Sequence, residues 1–250
     1  MLTWNTFRDK RERRGTPFVI AHRGVPVREP ENTLSSFALA LAQGADALET
    51  DLRITRDDQI VLFHDATLER TTDGQGAVRD HTIRELKRFR TRMPDGKFCD
   101  NRIPSLIELL AMTQGQTPLV LELKDARFAQ HGYARQLIET LALYNALERC
   151  AVVSFNMDLI RSVNRVHPGI TTGYITLWNP LPLRETRLLG PLWPLVYLNP
   201  AYVAYAHRMD AIVTPLDTSP TPRLNFYMKL GVDALLVDEP AEVIAELEKF

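Results

Sequence analysis

Short runs of apolar residues alternate with longer segments of helical periodicity along almost the whole chain. In the longer segments apolar side chains recur every three to four residues, which is typical of amphipathic helices. The short runs are bounded by polar or turn-forming residues and predict buried strands. The predicted strands are Phe18–Ala21, Ala47–Asp51, Leu119–Leu123, Val152–Phe155, Thr172–Thr176, Leu195–Leu198, Ala211–Leu216 and Ala234–Val237. The predicted helices are Thr33–Gln43, Ser105–Thr113, Ala134–Ala146, Met157–Val166, Pro222–Leu230 and Ala241–Lys249.

The order of these elements predicts an α/β fold with one parallel sheet. Strands that alternate with helices are typical of parallel sheets, because each crossover between parallel neighbours needs a dozen or more residues. Eight strands in a chain of 250 residues match a (β/α)8 TIM barrel in number and length. We therefore predict a single barrel domain over residues 1–250.

An additional apolar run at Ile60–His64 follows the second predicted strand after a polar stretch that is too short for a crossover helix. The connection must therefore be an antiparallel hairpin. With the turn centred near Asp57 and Asp58, paired residue numbers sum to about 115, which places His64 opposite Asp51 on the same face. The polar segment at about 65–104 is predicted to be a small insertion over the barrel mouth.

Composition and charge are those of an ordinary soluble globular protein. Hydrophobic residues make up 45% of the chain, and 30 Lys and Arg residues nearly balance 31 Asp and Glu residues. This balance gives no electrostatic footprint for nucleic acid, so no nucleic-acid partner is predicted. The two cysteines, Cys99 and Cys150, lack a metal-type spacing, which favours structural thiols in a reducing, cytoplasmic compartment.

Two segments bear on membrane contact. The charged run Arg8–Arg14 stands where a signal peptide would be apolar, and we interpret it as a solvated tail. The alternative is an arm that makes weak contact with anionic lipid at a membrane surface. The apolar stretch Leu188–Ala206 contains Pro191, Pro194 and Pro200, so it predicts a covering loop and a buried strand rather than a spanning helix.

Charged side chains gather at the carboxyl ends of the first three predicted barrel strands. His22 ends the first strand, Glu49 and Asp51 end the second, and Glu122 and Lys124 end the third. Residues two apart on a strand point to the same side. Because the carboxyl ends of barrel strands share one rim, we expect these side chains to converge there.

This set of side chains suits phosphodiester chemistry. Three carboxylates without a Cys and His quartet favour a hard cation, Mg²⁺ or Ca²⁺, over zinc. Arg23 and Lys124 supply positive charge for a phosphoryl oxygen. His22 and His64 supply one group to take a proton from a nucleophile and another to protonate a leaving alkoxide. The main alternative at the third strand is a simple internal ion pair between Glu122 and Lys124.

The segment Pro30–Thr33 predicts the start of a helix, with Asn32 or Thr33 as the N-cap. Its second expected effect is to hold the preceding loop rigid, so that His22 and Arg23 are aimed into the site.

With these residues in this order, the chain resembles the glycerophosphodiester phosphodiesterases, a family of phospholipase C-like TIM barrels. The resemblance extends from about residue 18 to 245, with the motifs in the family's order. The matching motifs are Ala21-His22-Arg23-Gly24, Pro30-Glu31-Asn32-Thr33, Leu48-Glu49-Thr50-Asp51, Phe63-His64-Asp65, Arg70-Thr71-Thr72-Asp73-Gly74, Glu122-Leu123-Lys124, Ser154-Phe155, Gly231-Val232-Asp233-Ala234 and Val237-Asp238-Glu239-Pro240.

The resemblance implies an imperfect TIM barrel and a small-molecule substrate, a glycerophosphodiester that is cleaved to sn-glycerol 3-phosphate and an alcohol. It implies a divalent metal held by Glu49, Asp51 and Glu122, acid and base catalysis by His22 and His64, and phosphate binding by Arg23 and Lys124. We assign His22 as the base and His64 as the acid, and the reverse assignment stays open.

One departure from the family concerns the seventh strand. The family usually carries Trp-Thr-Val-Asn there, whereas this chain has Ile212–Asp217. Trp178, Trp193 or Tyr197 are candidates to replace the lost aromatic surface, with core packing as the alternative use of each. The altered strand leaves open a non-catalytic barrel that binds phosphoesters. The apolar stretch Leu188–Tyr205 and the basic N-terminal run leave open a lysophospholipase D-like enzyme acting on amphiphiles.

Overall fold

The structure, a computed structural model, describes residues 2–114 and 116–250. Its strands are β1 (Phe18–His22), β2 (Ala47–Ile54), β3 (Ile60–Leu62), β4 (Thr91–Arg92), β5 (Phe98–Cys99), β6 (Leu119–Leu123), β7 (Cys150–Ser154), β8 (Thr171–Thr176), β9 (Leu188–Pro191), β10 (Ile212–Val213) and β11 (Ala234–Val237). Its helices are α1 (Phe7–Arg14), α2 (Leu34–Ala42), α3 (Ile83–Leu86), α4 (Leu106–Thr113), α5 (His131–Leu143), α6 (Met157–Val166), α7 (Trp193–Leu198), α8 (Ala201–His207), α9 (Leu224–Leu230) and α10 (Pro240–Leu247).

Eight of the described strands form one parallel sheet that nearly closes on itself. Their order is β10-β9-β8-β7-β6-β2-β1-β11, and the backbone N–H of Asp233 donates to the Val213 carbonyl at 3.0 Å where the two end strands meet. Small and branched side chains, including those of Ile20, Val120 and Val153, fill the interior. The helices cover the outside with two further apolar clusters. The predicted TIM barrel is confirmed.

The sixth barrel strand lies earlier in the chain than predicted. The predicted strand Leu195–Leu198 is wrong, because this segment belongs to helix α7, and the strand is Leu188–Pro191. Proline is compatible with the first turn of a helix, where its missing N–H has no partner to lose. Pro194 occupies that position, so a short helix forms where a covering loop and a buried strand were predicted.

The charged N-terminal run is a helix and not a solvated tail. Trp4 and Phe7 are fully buried with their rings stacked at 4.8 Å, and they close the bottom of the barrel. The Trp4 indole N–H donates to the carbonyl of Leu119, where β6 begins. The Arg11 guanidinium donates to the carbonyl of Val232. This face is opposite the barrel mouth.

The hairpin β2–β3 is confirmed, but its register is shifted by one residue. Leu52 pairs with Leu62, and the backbone N–H of Phe63 donates to the carbonyl of Asp51 at 2.9 Å. The predicted pair of His64 with Asp51 is therefore wrong. The cause is a turn that centres on Asp57 alone, since the Thr55 N–H donates to the Gln59 carbonyl at 2.9 Å.

The segment at about 65–104 packs on the hairpin through its own small apolar cluster, which includes Phe63, Leu68 and Leu86. It contributes helix α3 and the two-stranded sheet β4–β5. Among the described residues, no helix combines the length and the apolar character that crossing a membrane requires.

Candidate active site

A cavity of about 260 Å³ opens at the carboxyl ends of the barrel strands. Six of the seven predicted site residues line it: His22, Arg23, Glu49, His64, Glu122 and Lys124. The seventh, Asp51, lies beneath them and contacts Arg23 and Lys124. The opposite wall is apolar and comes from later strands, with Phe155, Ile175, Leu188 and Leu216 among its residues.

The three carboxylates converge because of strand geometry. Glu49 and Asp51 point to one side of β2, and Asp51 pairs in register with Glu122 on β6. One oxygen of each group lies within 4.8 Å of the others, and all three residues are buried. Burial, together with the charges of the other two carboxylates, raises the pKa of Glu49 well above its usual range. Burial and the Asp51 charge raise the pKa of Glu122 to about 7.

Asp51 differs from the other two carboxyl groups, because its surroundings favour the ionised form. Burial opposes its ionisation, but the charges of Arg23 and Lys124 outweigh burial, so the pKa of Asp51 is lowered. Arg23 Nε lies 3.0 Å from Asp51 Oδ2, and the Asn32 side-chain amide donates to the same oxygen at 2.9 Å. Thr50 donates its hydroxyl to Asn32 Oδ1 at 2.7 Å, which fixes that amide.

The residues present fit a divalent cation. Oδ1 of Asp51 and Oε1 of Glu122 are buried and accept no well-aligned hydrogen bond within the described residues. The Lys124 ammonium contacts both, at 3.5 and 2.6 Å. Close, buried carboxylates repel each other, so an added cation with oxygen preference would be stabilised by them.

A strained turn after β1 aims the side chain of Arg23. Arg23 and Gly24 both have left-handed backbones, with φ of 57° and 89°. The Arg23 N–H donates to the Glu49 carbonyl at 3.0 Å, and Ser36 Oγ ties the turn to helix α2 by accepting from Val25 N–H at 2.7 Å. Thr33 is the N-cap of that helix, because its side chain accepts from the Ser36 N–H. This confirms one of the two predicted N-cap positions.

Each imidazole of the site uses its Nδ1 atom to contact a carboxylate. His22 Nδ1 lies 2.7 Å from Asp238 Oδ1, and His64 Nδ1 lies 2.6 Å from Asp65 Oδ1. This leaves Nε2 of each ring for the cavity. Burial lowers the pKa of His64, and the charges of Arg23 and Lys124 add to that shift against the effect of Asp51.

Sequence reasoning missed the roles of Asp238 and Asp65 in this geometry. Both belong to motifs quoted for the resemblance, yet only the pairing of β1 with β11 brings Asp238 to His22. Nothing in the local spacing reveals a contact across 216 residues. Arg53 was also missed, although its guanidinium holds the His64 carbonyl at 2.9 and 2.6 Å and so places that residue at the rim.

The altered seventh strand brings Thr214 and Leu216 to the cavity wall. Trp178, Trp193 and Tyr197 are not among the lining residues. Trp193 lies under the Arg223 guanidinium at 4.5 Å, and Tyr197 contacts the ring of Phe226. Trp178 is 85% exposed on the loop after β8. None of the three therefore replaces the aromatic wall inside the cavity.

Comparison with known proteins identifies the family. The sequence profile of the glycerophosphoryl diester phosphodiesterase family matches residues 22–242. The chain belongs to this family. It is 32% identical over 241 residues to a glycerophosphodiester phosphodiesterase of Caldanaerobacter subterraneus, covering 92% of this chain and 98% of that protein. The chain is accordingly an enzyme with glycerophosphodiester phosphodiesterase activity.

Solved structures of similar proteins share the barrel. An Oleispira antarctica phosphodiesterase in complex with the product sn-glycerol-3-phosphate has a TM-score of 0.83 and 27% identity, covering 93% of this chain and 97% of that one. A glycerophosphodiester phosphodiesterase from Agrobacterium tumefaciens has a TM-score of 0.80 at 21% identity, covering 92% and 100%. The second likeness concerns the fold alone.

Proposed function

We propose that this enzyme hydrolyses glycerophosphodiesters to sn-glycerol 3-phosphate and an alcohol by histidine acid and base catalysis at a divalent metal site. Glu49, Asp51 and Glu122 would hold the metal, Mg²⁺ or Ca²⁺. The main support is the convergence of three buried carboxylates within 4.8 Å of one another in the cavity that His22 and His64 line. The likeness to a phosphodiesterase solved with sn-glycerol-3-phosphate supports the product.

Arg23 and Lys124 bind the phosphoryl oxygens in this proposal, because both cations line the cavity. The metal, when bound, adds positive charge that polarises the phosphoryl group. His22 accepts at Nε2 the proton of the attacking hydroxyl, with Asp238 holding Nδ1. As the bond from phosphorus to the leaving oxygen breaks, His64 donates a proton from Nε2 to that oxygen. The attacking group is water, or first the glycerol 2-hydroxyl with water opening the cyclic product.

The direct test is release of sn-glycerol 3-phosphate from glycerophosphocholine by the purified protein. We expect EDTA to abolish release and Mg²⁺ or Ca²⁺ to restore it. His22→Ala and Glu49→Gln should each lower kcat by at least about 100-fold. His131→Ala is the matched control, since His131 is exposed at the start of α5. Full activity of the purified protein in EDTA would contradict the metal-dependent proposal.

The apolar wall of the cavity favours one second candidate, cleavage of amphiphilic lysolipids by the same metal site. Phe155 is 39% exposed at the mouth, and Trp178 follows closely after the end of β8. The surface around Phe155 and Trp178, and not the basic N-terminal helix at the barrel bottom, would make any weak membrane contact. Trp178→Ala should then lower kcat/KM for lysophosphatidylcholine but not for glycerophosphocholine. Leu143→Ala, at an apolar position on α5 that is 78% exposed against 85% for Trp178, is the control.

We further propose that residues 1–250 act as one catalytic domain in the cytoplasm. Cys99 and Cys150 are free thiols, which is compatible with a reducing compartment. Fractionation of the native host, followed by immunodetection, tests this location, and recovery in the extracellular or membrane fraction would contradict it.

A further inference from the structure

Arg70 opens a motif that the proposed mechanism leaves without a role. Its guanidinium makes three charge-assisted hydrogen bonds to two carboxylates. Nη1 and Nη2 donate to the two oxygens of Glu31 at 2.7 and 2.8 Å, and Nε donates to Asp65 Oδ2 at 2.5 Å. A planar guanidinium can fix the orientation of two carboxylates at once, which a single ammonium cannot do.

Each of these carboxylates also contacts a side chain inside the cavity. Glu31 Oε1 accepts from Arg23 Nη1 at 3.1 Å, and Asp65 Oδ1 contacts His64 Nδ1 at 2.6 Å. Arg70 itself does not line the cavity. A continuous chain of contacts therefore runs from His64 through Asp65, Arg70 and Glu31 to Arg23.

We propose that Arg70 is a positioning residue that fixes the His64 imidazole and the Arg23 guanidinium relative to each other. The inference rests on the proposed function, in which Arg23 binds the phosphate and His64 protonates the leaving oxygen. Asp65 stands at the start of the insertion and is partly exposed. Without Arg70, Asp65 would keep His64 as its one remaining partner among the described residues, and the carboxylate would no longer hold the His64 ring in one orientation. Misplacement of a catalytic group by about 1 Å lowers rates by about 100-fold.

The competing explanation is that Arg70 only anchors the insertion at about 65–104. Exposed ion pairs contribute about 0–1 kcal/mol, and the Arg70 side chain is 48% exposed. Arg90 offers a matched control, because its side chain is 49% exposed and pairs with Asp73 at 2.9 Å in the same insertion. Arg90 does not line the cavity.

The decisive measurement is kcat with two substrates that differ in the leaving group. Glycerophosphocholine releases an alkoxide that must be protonated, whereas glycerol phospho-p-nitrophenol releases a phenolate that needs no proton. We expect Arg70→Gln to lower kcat about tenfold with the phenolate substrate, through Arg23, and about 100-fold with the alkoxide substrate. Arg90→Gln should leave kcat unchanged with both. Equal losses with the two substrates would overturn the inference.

Two further variants test whether Arg70 acts on His64 through Asp65. In the double variant of Arg70→Gln with Asp65→Asn, the difference between the two substrates should equal that of Asp65→Asn alone, because both changes act through one contact. A larger difference in the double variant would contradict that shared route. If Arg70→Gln fails to fold, Arg70→Lys keeps the charge without the three-point contact, and the same preferential loss with the alkoxide substrate is expected.

A failure of the proposed function would give a different experimental result from a failure of this inference. His64→Ala should lower kcat much more with glycerophosphocholine than with the phenolate substrate. Equal losses in that variant would overturn the assignment of His64 as the acid, and this inference with it. A discriminating His64→Ala beside a non-discriminating Arg70→Gln would overturn the role of Arg70 alone.

Discussion

The Nδ1 atom of His22 lies 2.7 Å from Oδ1 of Asp238, although 216 residues separate them in the chain. Strands β1 and β11 are parallel neighbours, and Ala21 pairs with Val237. His22 directly follows Ala21, and Asp238 directly follows Val237, so the two residues leave the strands side by side. The pairing of β1 with β11 thus supplies the orientation of His22, which no segment near residue 22 provides.

We expect Asp238→Asn to lower kcat with glycerophosphocholine by about 100-fold or more. The introduced amide would donate to Nδ1, so the ring proton would move to Nε2, which could then no longer accept a proton. Glu239→Gln is the control, because Glu239 bonds to Arg28 and Gln43 outside the cavity. Steady-state kinetics with unchanged far-UV circular dichroism would check this. Wild-type kcat in Asp238→Asn would contradict a role for this contact.

Gly24→Ala should impair both stability and activity. A Cβ atom at residue 24 would lie 2.2 Å from Ser36 Oγ, and φ is +89°. We expect a loss of about 3 kcal/mol in the free energy of unfolding, from backbone strain and the steric clash together. Gly15→Ala is the control, since φ there is +81° and no atom lies within 4 Å of the added carbon. That variant should lose only about 1 kcal/mol.

Urea unfolding of the two glycine variants measures this difference, and kcat shows whether the displaced turn reaches the site. Because Arg23 directly precedes Gly24, we expect kcat to fall in Gly24→Ala and to stay at the wild-type value in Gly15→Ala. Equal destabilisation of both variants would show that Ser36 moves away from the added carbon without a measurable cost in the free energy of unfolding.

The convergence at the barrel rim could be predicted from the sequence because it follows from two regularities. Alternate residues of a strand share a side, and parallel strands end at one rim. Those rules place Glu49, Asp51 and Glu122 together without any knowledge of the loops. Pairing of Asp51 with Glu122 in the structure shows why the rules suffice.

The remaining features depend on contacts that local patterns do not encode. The hairpin register followed from the turn at Thr55–Gln59, where one residue of displacement changed the partner of Asp51 from His64 to Phe63. The charge of the N-terminal run predicts a solvated tail, whereas the apolar pair Trp4 and Phe7 determines where the run packs. The three-residue spacing of Trp4 and Phe7 is the feature of the sequence that could have indicated this packing.

Asn32 should tolerate Gly better than Ala. Its φ is +57°, and its buried amide bonds to Asp51 and Thr50. Both substitutions remove these bonds, which costs about 1–3 kcal/mol for each buried group left without a partner. Only Ala adds left-handed strain, about 1 kcal/mol more. Urea unfolding should therefore rank wild type above Asn32→Gly and Asn32→Gly above Asn32→Ala. Equal free energies for the two variants would show that the backbone relaxes out of the left-handed region.

In EDTA, the contribution of the buried acidic cluster to the stability of the enzyme should fall as pH rises from about 5 to 8. Burial and the Asp51 charge raise the pKa of Glu122 to about 7, whereas the unfolded carboxyl titrates near 4.3. The folded state therefore binds more protons in this window, so stability is present below the unfolded pKa and is lost as pH rises through the folded pKa. Glu49, whose pKa is raised by burial and by its acidic neighbours, acts in the same direction.

Glu122→Gln should flatten this pH dependence, because the amide has no charge to bury, and should also weaken metal binding. Asp100→Asn is the control, since the Asp100 side chain is 94% exposed. Thermal unfolding between pH 5 and 8, with EDTA and with excess Mg²⁺ or Ca²⁺, measures both effects. Saturation at 100 times Kd should stabilise the wild type by about 2.7 kcal/mol, and much less in Glu122→Gln. A pH slope in EDTA that Glu122→Gln leaves unchanged would mean that other groups carry it.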